Sequence, residues 1–103
     1  MQFLAIMKIK PEVSKETVES FNVAETLKTW EMYKSNQLRM IWFIPNKPIP
    51  SGTIALLECA DQKQAESLCR EFPFVINNVA GLEVVPLAPG TFYEMLFAPQ
   101  YHV

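Results

Sequence analysis

Glu31 is the residue whose position suggests chemistry. At 3.6 residues per helical turn, Ala24, Leu27, Glu31 and Leu38 fall on one side, with Glu31 one turn beyond Leu27. That spacing sets a carboxyl into an apolar stripe, with Trp30 beside it and Ser35 one turn on. A carboxyl taken out of water either finds partners or holds its proton to higher pH. An acid titrating nearer neutrality can take a proton from one atom and return it to another. A plainer reading stands beside this one. The helix also has a second apolar side, Val18, Phe21 and Met32. If that side is buried, Glu31 reaches solvent or pairs with Arg39.

Other chemistries find little footing. Cys59 and Cys69 match no zinc spacing, and the single histidine, His102, cannot complete a ligand set. Three glycines leave no phosphate-cradling loop of the GxGxxG or GxxxxGK[ST] type. A metal-dependent or nucleotide-dependent enzyme is therefore not expected. His102 reads as tail packing, and Asn77 and Asn78 as turn residues before the last strand. The 103 residues carry a net charge of −2, with Lys+Arg 9 and no basic cluster, which argues against nucleic acid. No apolar run reaches the roughly 20 residues of a membrane span. MQFLAIMKIK has neither a basic leader nor a small-residue cleavage site, so no secretory signal is expected. Two cysteines in apolar surroundings suit buried, reduced thiols and a cytoplasmic protein.

The elements that must position these residues follow from the apolar patterning and the prolines. Gln2 to Lys10 is apolar in both phases and reads as a strand covered on both faces. Pro11 ends it. Ser14 is a suitable N-cap, with Glu16 and Glu19 in the first turn of a helix running to about Gln37. Arg39 to Ile44 forms a second strand, stopped by Pro45. The loop Pro45 to Gly52 leads into a third strand, Thr53 to Glu58. Asp61 caps a second helix whose stripe is Ala65, Leu68, Cys69 and Phe72, with Pro73 as its end. Gly81 opens a fourth strand, LEVVPL, where Pro86 indicates an edge position or a bulge. The order strand–helix–strand–strand–helix–strand is that of a ferredoxin-like α+β domain over residues 1–89, a four-stranded antiparallel sheet with both helices on one face.

Such a sheet has a second face that no helix covers. All four strands carry apolar side chains in both phases, including Leu4, Ile6, Met40, Trp42, Ile54 and Leu56. An apolar patch of that extent marks an interaction surface. A second copy closing on it gives a homodimer with a barrel-like interior; the alternative is the chain's own tail folding back. That tail, residues 90–103, is apolar and aromatic (Phe92, Tyr93, Met95, Leu96, Phe97, Tyr101) and is expected to dock on its own or the partner subunit.

The opening MQFLAIMKI, the segment WEMYKSNQL, the block SGTIALLECADQKQAESLCREFPF and the closing GLEVVPLAP together resemble the muconolactone isomerase family. The resemblance covers about residues 1 to 89 and implies a dimeric α/β barrel of ferredoxin-like protomers, with dimers often grouped into larger rings. It implies proton movement on a bound lactone without metal or organic cofactor. The family's helix glutamate falls on Glu31, and Trp42 falls near a strand tryptophan that would line the cavity. Family members with isomerase activity carry an Arg before the glutamate, where this chain has Trp30. They also flank the strand tryptophan with a His and an Arg, where this chain has Met40, Ile41 and Phe43. Carboxylates are held by Arg forks, so an apolar cavity with a single acid points to a neutral, flat ligand. The expectation is a cofactor-independent isomerase or cyclase. Glu31 would shuttle the proton, Trp30, Tyr33, Ser35 and Trp42 would form the pocket, and Tyr33 would offer a hydrogen bond. The alternatives are a non-catalytic small-molecule binder, a structural dimer, and a cofactor-independent monooxygenase of the same fold group.

Overall fold

Strand β1 (Gln2–Ile9) lies at the centre of the sheet, because both of its phases are apolar and both of its edges are paired. The computed structural model describes residues 1–98. Helix α1 (Lys15–Lys34) starts at Ser14, whose hydroxyl accepts the Thr17 N–H at 3.1 Å. It ends at Ser35 with Asn36 in the left-handed region (φ 63°). There the Gln37 N–H donates to the Met32 carbonyl and the Asn36 N–H to that of Tyr33, which closes the helix with a paired C-terminal motif.

Strands β2 (Leu38–Ile44) and β3 (Gly52–Glu58) follow, then α2 (Gln62–Cys69), capped by Asp61. Pro73 does not end α2. It stands at the first position of a separate short helix, α3 (Pro73–Ile76), where its missing N–H costs nothing and its φ is already suitable. Asn77 and Asn78 close α3. Asn77 Nδ2 donates to the Pro73 carbonyl, and Asn78 takes φ 56°. Strand β4 (Ala80–Leu87) completes an antiparallel sheet of order β2-β3-β1-β4. Pro86 sits on an edge strand, where a missing donor is tolerated.

The two faces of this sheet differ. Phe3, Ala5, Met7, Ala55, Leu57, Leu38, Val84 and Leu82 turn toward the helices, and most are buried against Val18, Met32, Leu68 and Phe72. Leu4, Ile6, Ile54, Leu56, Met40, Trp42 and Val85 occupy the opposite phase, on the open face. Trp42 is 47% exposed there, so the described part of the tail does not cover it. The tail instead forms a 3-10 turn, η1 (Phe92–Phe97), whose large apolar side chains are 55 to 75% exposed. Tyr101 and His102 lie outside the described residues.

Gly52 is required by a close approach. A Cβ there would collide with the Met7 carbonyl oxygen on the neighbouring strand. Among the described residues no helix is long and apolar enough to cross a membrane.

Candidate functional site

The buried side of α1 is Val18, Phe21, Glu25 and Met32, a run separated by three, four and seven residues. Glu25 therefore enters the interior with its apolar neighbours and is only 8% exposed. Its Oε2 accepts the Phe74 backbone N–H at 3.1 Å. Phe72, the residue before α3, gives no side-chain cap, so the carboxyl of α1 satisfies a donor in the first turn of α3. Among the described residues its other oxygen, Oε1, has no hydrogen-bond partner. Burial raises the Glu25 pKa above the ordinary 4.5, and the Phe74 N–H opposes part of that rise.

Glu25 lines a cavity of about 420 Å³ between α1 and the helix-facing side of the sheet. Val18, Asn22, Thr26 and Thr29 join it from α1, Met7 and Ile9 from β1, and Ile41 and Phe43 from β2. Gly52 and Thr53 lie on the β3 side, with Ile49, Pro50 and Phe74 completing the wall. That size suits a small organic molecule. The side-chain oxygen of Thr53 is also buried without a partner among the described residues. No described lining residue is Lys, Arg or His.

This arrangement corrects the expectation that α1 buries Glu31. Glu31 is exposed, as are Ala24 and Leu27 on the same outer side of α1. The apolar side chains are distributed almost evenly around the helix, so hydrophobicity alone does not select the buried side. Trp30 and Tyr33 stack on each other at 5.7 Å on the outer surface, 54% and 55% exposed. The Ser35 hydroxyl donates to the Met32 carbonyl and to Gln37 Oε1 at the end of α1. Trp42 points to the open face of the sheet, while its neighbours Ile41 and Phe43 line the cavity. None of Glu31, Trp30, Tyr33, Ser35 and Trp42 lines the cavity of the single chain. The acid that lines the cavity is Glu25, which the sequence reading did not single out, and the signal for its burial is its place among Val18, Phe21 and Met32.

The two thiols are free and buried. Burial raises the Cys59 pKa and pushes that of Cys69 up to about 12, which makes them packing groups rather than nucleophiles. Among the described residues no three His, Cys, Asp or Glu side chains group as a metal site.

No family model matches the chain. No curated protein matches it either. Solved structures do. The 5-chloro-2-hydroxyhydroquinone dehydrochlorinase TftG from Burkholderia phenoliruptrix AC1100, in complex with 2,5-dihydroxybenzoquinone, superposes with a TM-score of 0.75 at 14% identity, covering 89% of this chain and 98% of that one. Muconolactone isomerase superposes with a TM-score of 0.68 at 13% identity, covering 88% and 92%. At such identities the likeness establishes architecture, and this chain has the ferredoxin-like α+β fold of muconolactone isomerase and TftG.

Proposed function

We propose that this protein is a cofactor-independent proton-transfer enzyme, an isomerase or cyclase, that acts on a small, largely apolar carbonyl or lactone compound. Glu25 is its proton carrier. The observation behind this reading is a buried carboxyl on the cavity wall with one oxygen anchored and the other without a partner among the described residues. The Phe74 N–H fixes the group, and Oε1 has no partner among the described residues. As the carboxylate, Glu25 accepts a proton from the carbon next to a carbonyl. As the acid, it returns that proton to another carbon of the same molecule, so nothing is consumed. Surrounding apolar residues exclude water and bring the acid's pKa closer to neutrality. Two neighbours of the same fold lend support: one is named as an isomerase of a lactone, and the other holds a hydroxylated quinone.

A homodimer belongs to the same proposal. The open face of the sheet carries apolar residues on all four strands with Trp42 half exposed, and an identical face on a second copy would cover it. Buried free thiols suit a reducing, cytoplasmic setting.

The test is α-proton exchange of small cyclic ketones and lactones in D2O, followed by NMR, for the wild type and Glu25→Gln. Gln retains an acceptor for the Phe74 N–H and removes the charge. Loss of exchange with equal or higher thermal stability is the expected result. Unchanged exchange in Glu25→Gln would overturn the assignment.

A further inference from the structure

We infer that the outer side of α1 is a second surface of self-association, on which the α1 of another copy packs antiparallel about a two-fold axis beside Leu27. Neither the Glu25 reading nor the dimer through the open sheet face is needed for it.

The inner side of α1 is Val18, Phe21, Glu25 and Met32. Val23, Leu27 and Trp30, at i, i+4 and i+7, lie on the opposite side and are 74, 58 and 54% exposed. Single exposed apolar side chains are ordinary, but these three form one continuous strip roughly 10 Å long. Trp30 is also braced by its stack on Tyr33, so a large flat side chain is presented with less freedom left to lose on binding. A helix that is apolar on two opposite sides fits between two layers. The described residues supply only one of them.

Charge at the two ends of the strip identifies the occupant. Glu19 stands four residues before Val23, and Lys34 four residues after Trp30, both on the outer side. Acid, three apolar residues and base in that order make the strip complementary to itself when reversed. With the two-fold axis between residues 26 and 27 of α1, Trp30 faces the partner's Val23, Lys34 faces the partner's Glu19, and the two copies of Leu27 meet at the axis. Symmetry makes each pairing twice. A parallel pair would instead set Lys34 against Lys34 and Glu19 against Glu19. Glu19 Oε1 does hold Lys15 Nζ at 3.7 Å within its own helix, but both side chains are half exposed, and a solvated pair of that kind costs little to rearrange. Lys34 forms no ion pair among the described residues. One helix side is smaller than a standard interface, so the contact is weak. It lies on the helical layer and leaves the open sheet face free, so a chain using both surfaces assembles beyond a dimer.

Sedimentation equilibrium of the Trp42→Glu chain, from about 10 μM to about 1 mM, tests the inference with the open sheet face blocked. A monomer–dimer equilibrium is expected toward the top of that range. Adding Trp30→Glu should abolish it. Adding Lys34→Glu alone, or Glu19→Lys alone, should weaken it about tenfold, since each turns both ion pairs into like charges. Both together should restore it to within about threefold. Circular dichroism checks that α1 is intact in each variant, and rescue by the charge swap separates a lost contact from a damaged helix. Absence of dimer at about 1 mM, a dimer unmoved by Trp30→Glu, or a charge swap that fails to restore association would overturn the inference. So would a dimer broken by Phe97→Glu and untouched by the α1 substitutions, which would place the apolar tail at the contact instead.

Discussion

Two glutamates on one helix meet opposite surroundings. Glu25 shares the inner side of α1 with Val18, Phe21 and Met32, against Phe74 and the cavity. Glu31 shares the outer side with Leu27 and the stacked Trp30–Tyr33 pair, in water. The two sides are similarly apolar, and the tertiary partner, not the local pattern, determines which acid is buried. Placement of a carboxyl for chemistry is thus a property of what the helix packs against.

The sharpest way to break this contrast is to neutralise each acid in turn. Glu25→Gln is expected to lower α-proton exchange by at least about 100-fold, the usual contribution of a general acid/base. Glu31→Gln should leave it within about twofold, as befits an exposed side chain outside the cavity wall. Equal losses in the two variants would erase the distinction.

A second comparison sets the closed side of the sheet against its open side. Gly52→Ala introduces a Cβ against the Met7 carbonyl, a backbone atom that cannot swing away. It should cost about 1–3 kcal/mol in urea unfolding, by the measure of overpacked sites. Trp42→Glu, on the open face, should leave the fold of a single chain intact and convert the proposed dimer to monomer by analytical ultracentrifugation. A wild type that sediments as monomer would remove the dimer from the account.

A smaller effect concerns pH. Because the folded Glu25 pKa is raised, the folded chain binds its proton more readily than the unfolded chain does. Its contribution to stability is fully present below the ordinary 4.5 and is lost as pH rises through the higher folded value. Subtracting the Glu25→Gln stability profile from that of the wild type should isolate this fall. Asn36→Ala, at the left-handed close of α1, should cost about 1 kcal/mol in the same assay.

Much of the frame is legible in the chain because punctuation residues act locally. Ser14 and Asp61 announce both long helix starts by accepting the amide three residues on. Pro86 identifies an edge strand because its ring removes a ladder donor. Pro73 is ambiguous, since a proline that stops one helix can also begin the next, and α3 depends on that second use. The site is less legible. Glu25 stands in the Val18–Phe21–Met32 stripe in plain sequence, but nothing local identifies that stripe as the inner one. The Phe74 amide that anchors it lies far along the chain. Trp42 alternates with Ile41 and Phe43 on a strand, so which of them reaches the cavity depends on pairing with β3. Register of that kind is settled by the partner strand.

The most direct measurement is the pH titration of the Glu25 side-chain carboxyl by carbon-detected NMR, assigned through Glu25→Gln. A midpoint above 4.5 is the expected result for an acid buried on the cavity wall. A midpoint at or below 4.5 would show a well-solvated or fully partnered carboxylate, and Glu25 could not be the proton carrier described above.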